Sequence, residues 1–376
     1  MLWDFYSDAG RKAYSQGHYD EAVKLWEAAF REAQTFAHED PRLAITFDNL
    51  GNCYNAVGKH AEAEELLRDA VTMRESVLGP LHPDVATSLD SLASHCLRQG
   101  RYPEAEELYK RALAIRERVL RPTDVDLSLT YDRLARLYHQ QGRFAEAEAV
   151  LCRRLEQLGR FVEQEGLTEI LLVSSLESLA ELYGLHGKYA EATEIQQRRL
   201  EIEEGVFGSE HETVADTLTR MGRLYYVQGN YAETEAVLQR AVRILEHRRR
   251  GHEGDATAFS YLGRVLHAQG KYEDAESFYR RALAMSEQYW GSESYFAAFS
   301  CDELVGLYVA QGRYAEAEPL LLRALAVYER SDHPDLAPLL EKYAVLLAAT
   351  DRIVEAAKVR AHAEAVRVRQ AQEKKE

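Results

Sequence analysis

A short glycine-led anchor recurs eight times along the chain: Gly17-His18-Tyr19, Gly58-Lys59-His60, Gly100-Arg101-Tyr102, Gly142-Arg143-Phe144, Gly187-Lys188-Tyr189, Gly229-Asn230-Tyr231, Gly270-Lys271-Tyr272 and Gly312-Arg313-Tyr314. Neighbouring glycines are 41, 42, 42, 45, 42, 41 and 42 residues apart, and a worn ninth copy stands at Asp351-Arg352-Ile353. A fixed period of this length means that one supersecondary unit is stacked many times, which constrains the fold more than any composition does. The reading is residues 1–350 as eight repeats, with a degenerate ninth and a C-terminal capping helix over 335–376.

Each unit reads as two helices. Before the glycine comes a stretch such as ATSLDSLASHCLRQ, with apolar residues at helical spacing. After it comes one such as PEAEELYKRALAIRERVL, rich in strong helix formers. The glycine falls where the first helix stops and the chain turns back, a left-handed cap position. An aromatic residue usually follows two places on. Three places further stands a small residue: Ala22, Ala63, Ala105, Ala147, Ala192, Thr234, Ala275 and Ala317. A ring beside a small residue suits two antiparallel helices in close approach. The long interval between Gly142 and Gly187, around LGRFVEQEGLTEILL, predicts a local irregularity.

The Gly-x-Tyr, x-x-Ala pattern resembles the tetratricopeptide repeat, and the 42-residue form is similar to the repeats of kinesin light chains. The tandem asparagine pair of that family keeps only Asn49, which argues against a kinesin role. The resemblance implies an all-α, right-handed superhelical solenoid of antiparallel helix pairs. It further implies a protein- or peptide-binding scaffold with a concave groove.

Charge and motifs narrow the function. Lys plus Arg number 46 against 62 Asp plus Glu, a net −16, which argues against a generalised DNA binder. Cys53, Cys96, Cys152 and Cys301 are scattered, so neither a disulfide framework nor a zinc site is expected. No secretory signal and no membrane-length apolar run is present, and the expectation is a cytoplasmic protein. Phosphate-loop, dinucleotide, zinc-protease and nucleophile-elbow motifs are all missing, so no enzyme and no cofactor is expected. His82-Pro83 and His333-Pro334 recur with the loop and read as loop structure. His247-Arg248-Arg249-Arg250 reads as cations closing a helix, with a phosphate contact as the alternative.

The groove is read by numbering each unit so that its glycine is fifteenth. Apolar positions four, seven, eight and eleven share one side of the wheel, as with Leu50, Gly51 and Tyr54. Positions five, nine, twelve and thirteen share another, which by resemblance lines the groove. Fifth positions read Ser7, Asp48, Asp90, Asp132, Glu177, Thr219, Ser260 and Cys301; ninth positions include Asn52, Arg136, Arg223 and Arg264; twelfth positions include Asn55, His139, Tyr226 and His267. Arg133 and Arg220, at sixth positions, flank it. The groove is therefore expected to be acidic through the second to fifth units, then basic and aromatic. Its expected binding residues are Arg220, Arg223, Tyr226, Arg264 and His267, with Arg136, His139, Asn52 and Asn55. The partner expected is a segment carrying Asp or Glu near an apolar side chain. Arg223 and Arg264 are read as lying off the packing side, so that replacing them weakens binding and leaves stability nearly unchanged.

Two further expectations follow from the ends. Leu2, Trp3 and Phe5 open the first helix without a polar cap, so cover would come from a second copy, a further domain, or Trp3 folding onto its own second helix. The alternative function is a sensor or regulatory portion of a larger signalling protein or enzyme complex.

Overall fold

The computed structural model describes residues 2–37, 39–247, 254–331 and 333–373. These form eighteen α-helices and no strand. Two compact units result, Met1–His186 and Gly187–Glu376, the second beginning at the fifth anchor glycine.

In the first unit, α1 (Leu2–Ser15), α2 (Tyr19–Ala33), α3 (Pro41–Ala56), α4 (His60–Leu78), α5 (Pro83–Arg98), α6 (Tyr102–Val119), α7 (Val125–Gln140) and α8 (Phe144–Glu165) form four antiparallel hairpins. A 3-10 turn at Glu169–Leu172 and α9 (Val173–Leu185) pack on α8. The second unit begins with α10 (Tyr189–Phe207). Four hairpins follow: α11 (Glu212–Val227) with α12 (Tyr231–Glu246), α13 (Asp255–Ala268) with α14 (Tyr272–Trp290), α15 (Tyr295–Ala310) with α16 (Tyr314–Arg330), and α17 (Leu336–Ala349) with α18 (Ile353–Glu373). Arg248, Arg249 and Arg250 lie outside the described residues. The extra length before Gly187 goes into α8, at 22 residues, and into the left-handed Gly166 and the 3-10 turn behind it.

The turn explains the glycine. All eight anchor glycines hold φ between +70° and +82°, the region L side chains avoid. The ninth copy puts Asp351 there at φ 59°, the single non-glycine residue with positive φ among those described. The small residues after the turn are fully buried. At position eight of four first helices a glycine does the same for the partner helix. A Cβ on Gly10, Gly51, Gly222 or Gly263 would come within 2.5–2.9 Å of Trp26, Leu67, Leu238 or Tyr279 respectively.

The basic residue after the glycine has a role the sequence did not disclose. Arg101 pairs with Glu64 at 2.7 Å, Arg143 with Glu106 at 2.5 Å, Arg313 with Glu276 at 2.6 Å and Lys271 with Glu235 at 3.0 Å. Each bond runs from one hairpin's turn to the second helix of the hairpin before it. Tyr138 and Tyr308 donate to the same Glu106 and Glu276. The loop histidines cap: His82 Nδ1 accepts from the Asp84 amide, His211 Nδ1 from Thr213, and His333 Nδ1 from Asp335. Trp3 turns inward, its indole donating to Thr46 of α3 at 2.9 Å, while Leu2 and Phe5 stay exposed. Cys53, Cys96 and Cys301 are buried, and burial pushes their thiols up to about 12, 11 and 11. Three inert core thiols result.

Candidate peptide-binding cleft

The first helices of successive hairpins in the second unit, α11, α13, α15 and α17, border a cleft of about 340 Å3. Tyr226 comes from α11, Arg264 and His267 from α13, Phe299, Asp302, Glu303 and Gly306 from α15, and Lys342 from α17. Tyr279 of α14 forms the back wall, drawn in because Gly263 presents no Cβ to its ring. Gly306 stands at the ninth position, where Arg223 and Arg264 stand on the preceding helices, and it opens the space between them.

Arg264 is the centre of this site. Its guanidinium lies 5.4 Å from the rings of Tyr226 and Tyr261 and 5.9 Å from Phe299. Its Nε is 2.9 Å from Oε1 of Glu303, which is 6 % exposed. Burial pushes the Glu303 carboxyl up to about 7, against the pull of Arg264 and of the Ser260 hydroxyl that donates to Oε2. The counter-ion of Arg264 thus comes from the next hairpin. Burial also lowers the His267 pKa, which keeps the ring neutral, and it stands edge-on to Tyr272 at 5.7 Å. Lys342 is engaged with Asp302 at 2.6 Å. Counted from Gly312, Asp302 rather than the buried Cys301 is the fifth position of this unit.

Arg223 and Arg220 are exposed on α11. Arg223 makes no ion pair among the described residues, though its charge acts on the Tyr261 hydroxyl. Twelfth-position rings do not stand free. Tyr226, His139 and His267 are half-buried against Tyr231, Phe144 and Tyr272, the aromatics that follow the anchor glycines.

Two of the four acids of the expected groove are withdrawn from the surface, while Asp132 and Glu177 are half-buried. Asp48 and Asp90 are 5 % and 3 % exposed. Asp48 pairs with Arg74, and Asp90 with Arg116 and with the partly exposed Arg133. Asn55 is buried with Oδ1 lacking a hydrogen bond among the described residues, and Asn52 donates to Ser91 at 3.3 Å. Arg136 and His139 line a smaller cleft of about 150 Å3 in the first unit, with Asp132, Ser178, Glu181 and Leu182. Burial raises the Asp132 carboxyl, with Ser178 and Arg136 opposing. The nine expected residues therefore divide. Tyr226, Arg264 and His267 meet in one cleft, Arg136 and His139 in another, and Arg220, Arg223, Asn52 and Asn55 line neither.

Helix pairs stacked with a period near 42 residues define a repeat architecture. The sequence matches the tetratricopeptide repeat over residues 10–76, 42–118, 84–158, 171–247 and 213–288, and again over 300–335. The chain belongs to the tetratricopeptide repeat family. A Podosopora anserina protein assigned as a kinesin light chain, with nearly identical TPR-like repeats, is 26 % identical over 55 % of this chain and 98 % of its own, with a TM-score of 0.46. The apo form of RapI is similar over 100 % of this chain and 99 % of its own, at 13 % identity and a TM-score of 0.60. The apo quorum sensor NprR of B. thuringiensis covers 97 % of each chain at 15 % identity and 0.54. The last two likenesses are of fold. No curated protein matches the sequence. No described helix is long and apolar enough to cross a membrane.

Proposed function

We propose that the chain is a non-enzymatic scaffold whose second unit binds a segment of a partner protein in the cleft between α11 and α17. The segment presents an Asp or Glu beside an apolar side chain. The observation that carries this reading is the grouping of Tyr226, Tyr279 and Phe299 around a partly exposed Arg264, with Arg223 exposed one helix away. Aromatic and arginine side chains in a concave site are the usual carriers of binding energy. Arginine suits a carboxylate because its planar fork donates two bonds at once. Arg223 steers from the rim and the aromatic walls receive the apolar neighbour. A sensor role is the second reading: NprR, a quorum sensor, has the same fold over nearly its whole length.

An array of twelve-residue peptides, each with a single Asp or Glu next to Leu or Phe, tests the proposal against matched Asn and Gln peptides. The acidic set should bind, and Tyr226→Ala and Arg223→Ala should each weaken it several-fold, the second more at low salt. Equal binding of the amide peptides, or indifference to both substitutions, would move the site elsewhere.

A further inference from the structure

The pair at the centre of the cleft differs from the pairs that the turn arginines make. Arg101, Arg143 and Arg313 donate from several nitrogens into their carboxylates. Arg264 donates no hydrogen bond to any described residue, although its Nε lies beside Glu303 and about a third of its side chain is open to the cleft. Glu303 Oε1, nine-tenths buried and facing the same cleft, also has no hydrogen bond among the described residues. A guanidinium whose donors are unused is a site prepared for an anion.

A second carboxylate on Arg264 would sit within a few ångströms of Glu303. Two carboxylates sharing one cation cannot both stay ionised cheaply. The other cations nearby are placed differently: Arg223 lies exposed on α11, at the rim. Lys342 on α17 is held by Asp302 of α15, and His267 on α13 is kept neutral by burial. The Tyr279 hydroxyl on α14 and the Tyr261 hydroxyl on α13 are kept protonated by burial, and Ser260 is neutral. Glu303 is the group that must yield.

We propose that Arg264 and Glu303 form a proton-linked carboxylate receptor: the ligand carboxylate takes the unused guanidinium donors while Glu303 gains one proton from solvent. This rests on the reading that the cleft binds an acidic segment. Burial already places the Glu303 pKa near 7, so the linkage operates around neutral pH, and ligand affinity falls as pH rises.

The test uses the full chain and the peptide acetyl-Leu-Asp-Phe-amide, with acetyl-Leu-Asn-Phe-amide as control, titrated calorimetrically at pH 6 and pH 8 in two buffers of different ionisation enthalpy. Wild type should bind the Asp peptide about fivefold more weakly at pH 8 than at pH 6, the part of the tenfold effect of a one-unit rise in the Glu303 pKa that falls between these two pH values. It should also take up protons. Glu303→Gln, which fixes the neutral form, should bind equally at both pH values and take up none. If wild type and Glu303→Gln share one pH profile, the proton linkage is wrong while carboxylate binding stands. If the Asp and Asn peptides bind alike, or Arg264→Lys binds as wild type does, the cleft reading itself fails. Should Glu303→Gln not fold, a carbon-13 titration of Glu303 in wild type decides. Its pKa should rise when the Asp peptide is bound, and an unchanged value overturns the linkage.

Discussion

Asp48 of α3 and Arg74 of α4 meet at 2.5 Å with less than a tenth of either side chain exposed. Ser88 of α5 donates to Asp48 at 2.8 Å and accepts from Arg74 at 2.6 Å, so the pair joins its own hairpin to the next. Asp90, Arg116 and Thr130 repeat the arrangement one hairpin later. In the second unit Thr217 donates to Glu203, and Ser286 bonds Ser300, between helices at the same repeat positions. A buried ion pair gains little net stability, because desolvation offsets the attraction, but removing one partner strands the other. Asp48→Ala or Arg74→Ala should therefore cost about 3–5 kcal/mol. The double change Asp48→Leu/Arg74→Met should cost less than either alone. A thermal melt in which the double variant is the worst of the three would refute this account.

Burial pushes Asp48 up from 3.8 to about 6, the opposite of an ordinary paired carboxylate. The folded state then holds its proton more tightly than the unfolded chain. Its contribution to stability is present below about pH 4 and is lost between about pH 4 and pH 6. Glu106 behaves in the other sense, since Arg143 holds its carboxyl at about 2 against an ordinary 4.5. Its contribution is present above about pH 4.5 and is lost as pH falls toward 2. Melting temperatures of Asp48→Asn and Glu106→Gln, each subtracted from wild type across pH 2–8, should change in these two separate windows. A change of the Asp48→Asn difference confined to below pH 4 would contradict the assignment.

Asp351 occupies the left-handed position that glycine holds in the other eight turns. An L side chain there costs about 1 kcal/mol. Asp351→Gly should raise the melting temperature of the ninth pair, α17 with α18, by relieving that strain. Gly312→Ala, at φ 70°, should lower stability by about the same amount. Hydrogen exchange along α17 and α18 reads the first change locally, and faster exchange in Asp351→Gly would count against it.

The fold was legible because the constraints are local. A turn with positive φ demands glycine, and a close helix contact demands Ala22, Ala63 and their equivalents, so both leave a period in the sequence. The cleft was legible only in part, because a helical wheel assigns a direction and not a depth. The wheel places Asp48, Asp90, Arg223 and Arg264 on one broad side, yet the structure buries the first two, exposes the third and half-buries the fourth. What separates them is the neighbour supplied from another helix: Arg74 and Ser88 for Asp48, Glu303 for Arg264. Such partners stand 26 to 40 residues away along the chain. The clue available was the Ser or Thr at third positions, Ser88, Thr130 and Thr217, each paired with a polar residue sixteen places after the preceding anchor glycine, whereas Thr46 and Ser175 have Ala33 and Leu158 there.

Arg223 and Arg264 should therefore part company when mutated, against the sequence expectation that both are external to the packing. Arg223 is exposed, and Arg223→Ala should change stability by less than about 0.5 kcal/mol while weakening acidic peptides. Arg264 is walled by three rings and faces a buried acid, so Arg264→Ala removes both a packed cation and the largest attraction that holds Glu303 ionised, ahead of the Ser260 hydrogen bond and Lys342. The carboxyl then escapes the cost of isolation by taking a proton, which is easy at pH 6 and harder at pH 8. The loss of melting temperature in Arg264→Ala should accordingly be larger at pH 8 than at pH 6, and Arg264→Ala/Glu303→Gln should show no such difference. Arg223→Ala serves as the control, with a small and pH-independent change. An Arg264→Ala variant as stable as wild type at pH 8 would mean that Glu303 does not depend on this arginine, and that Arg264 stands as free in the cleft as the helical wheel alone suggests.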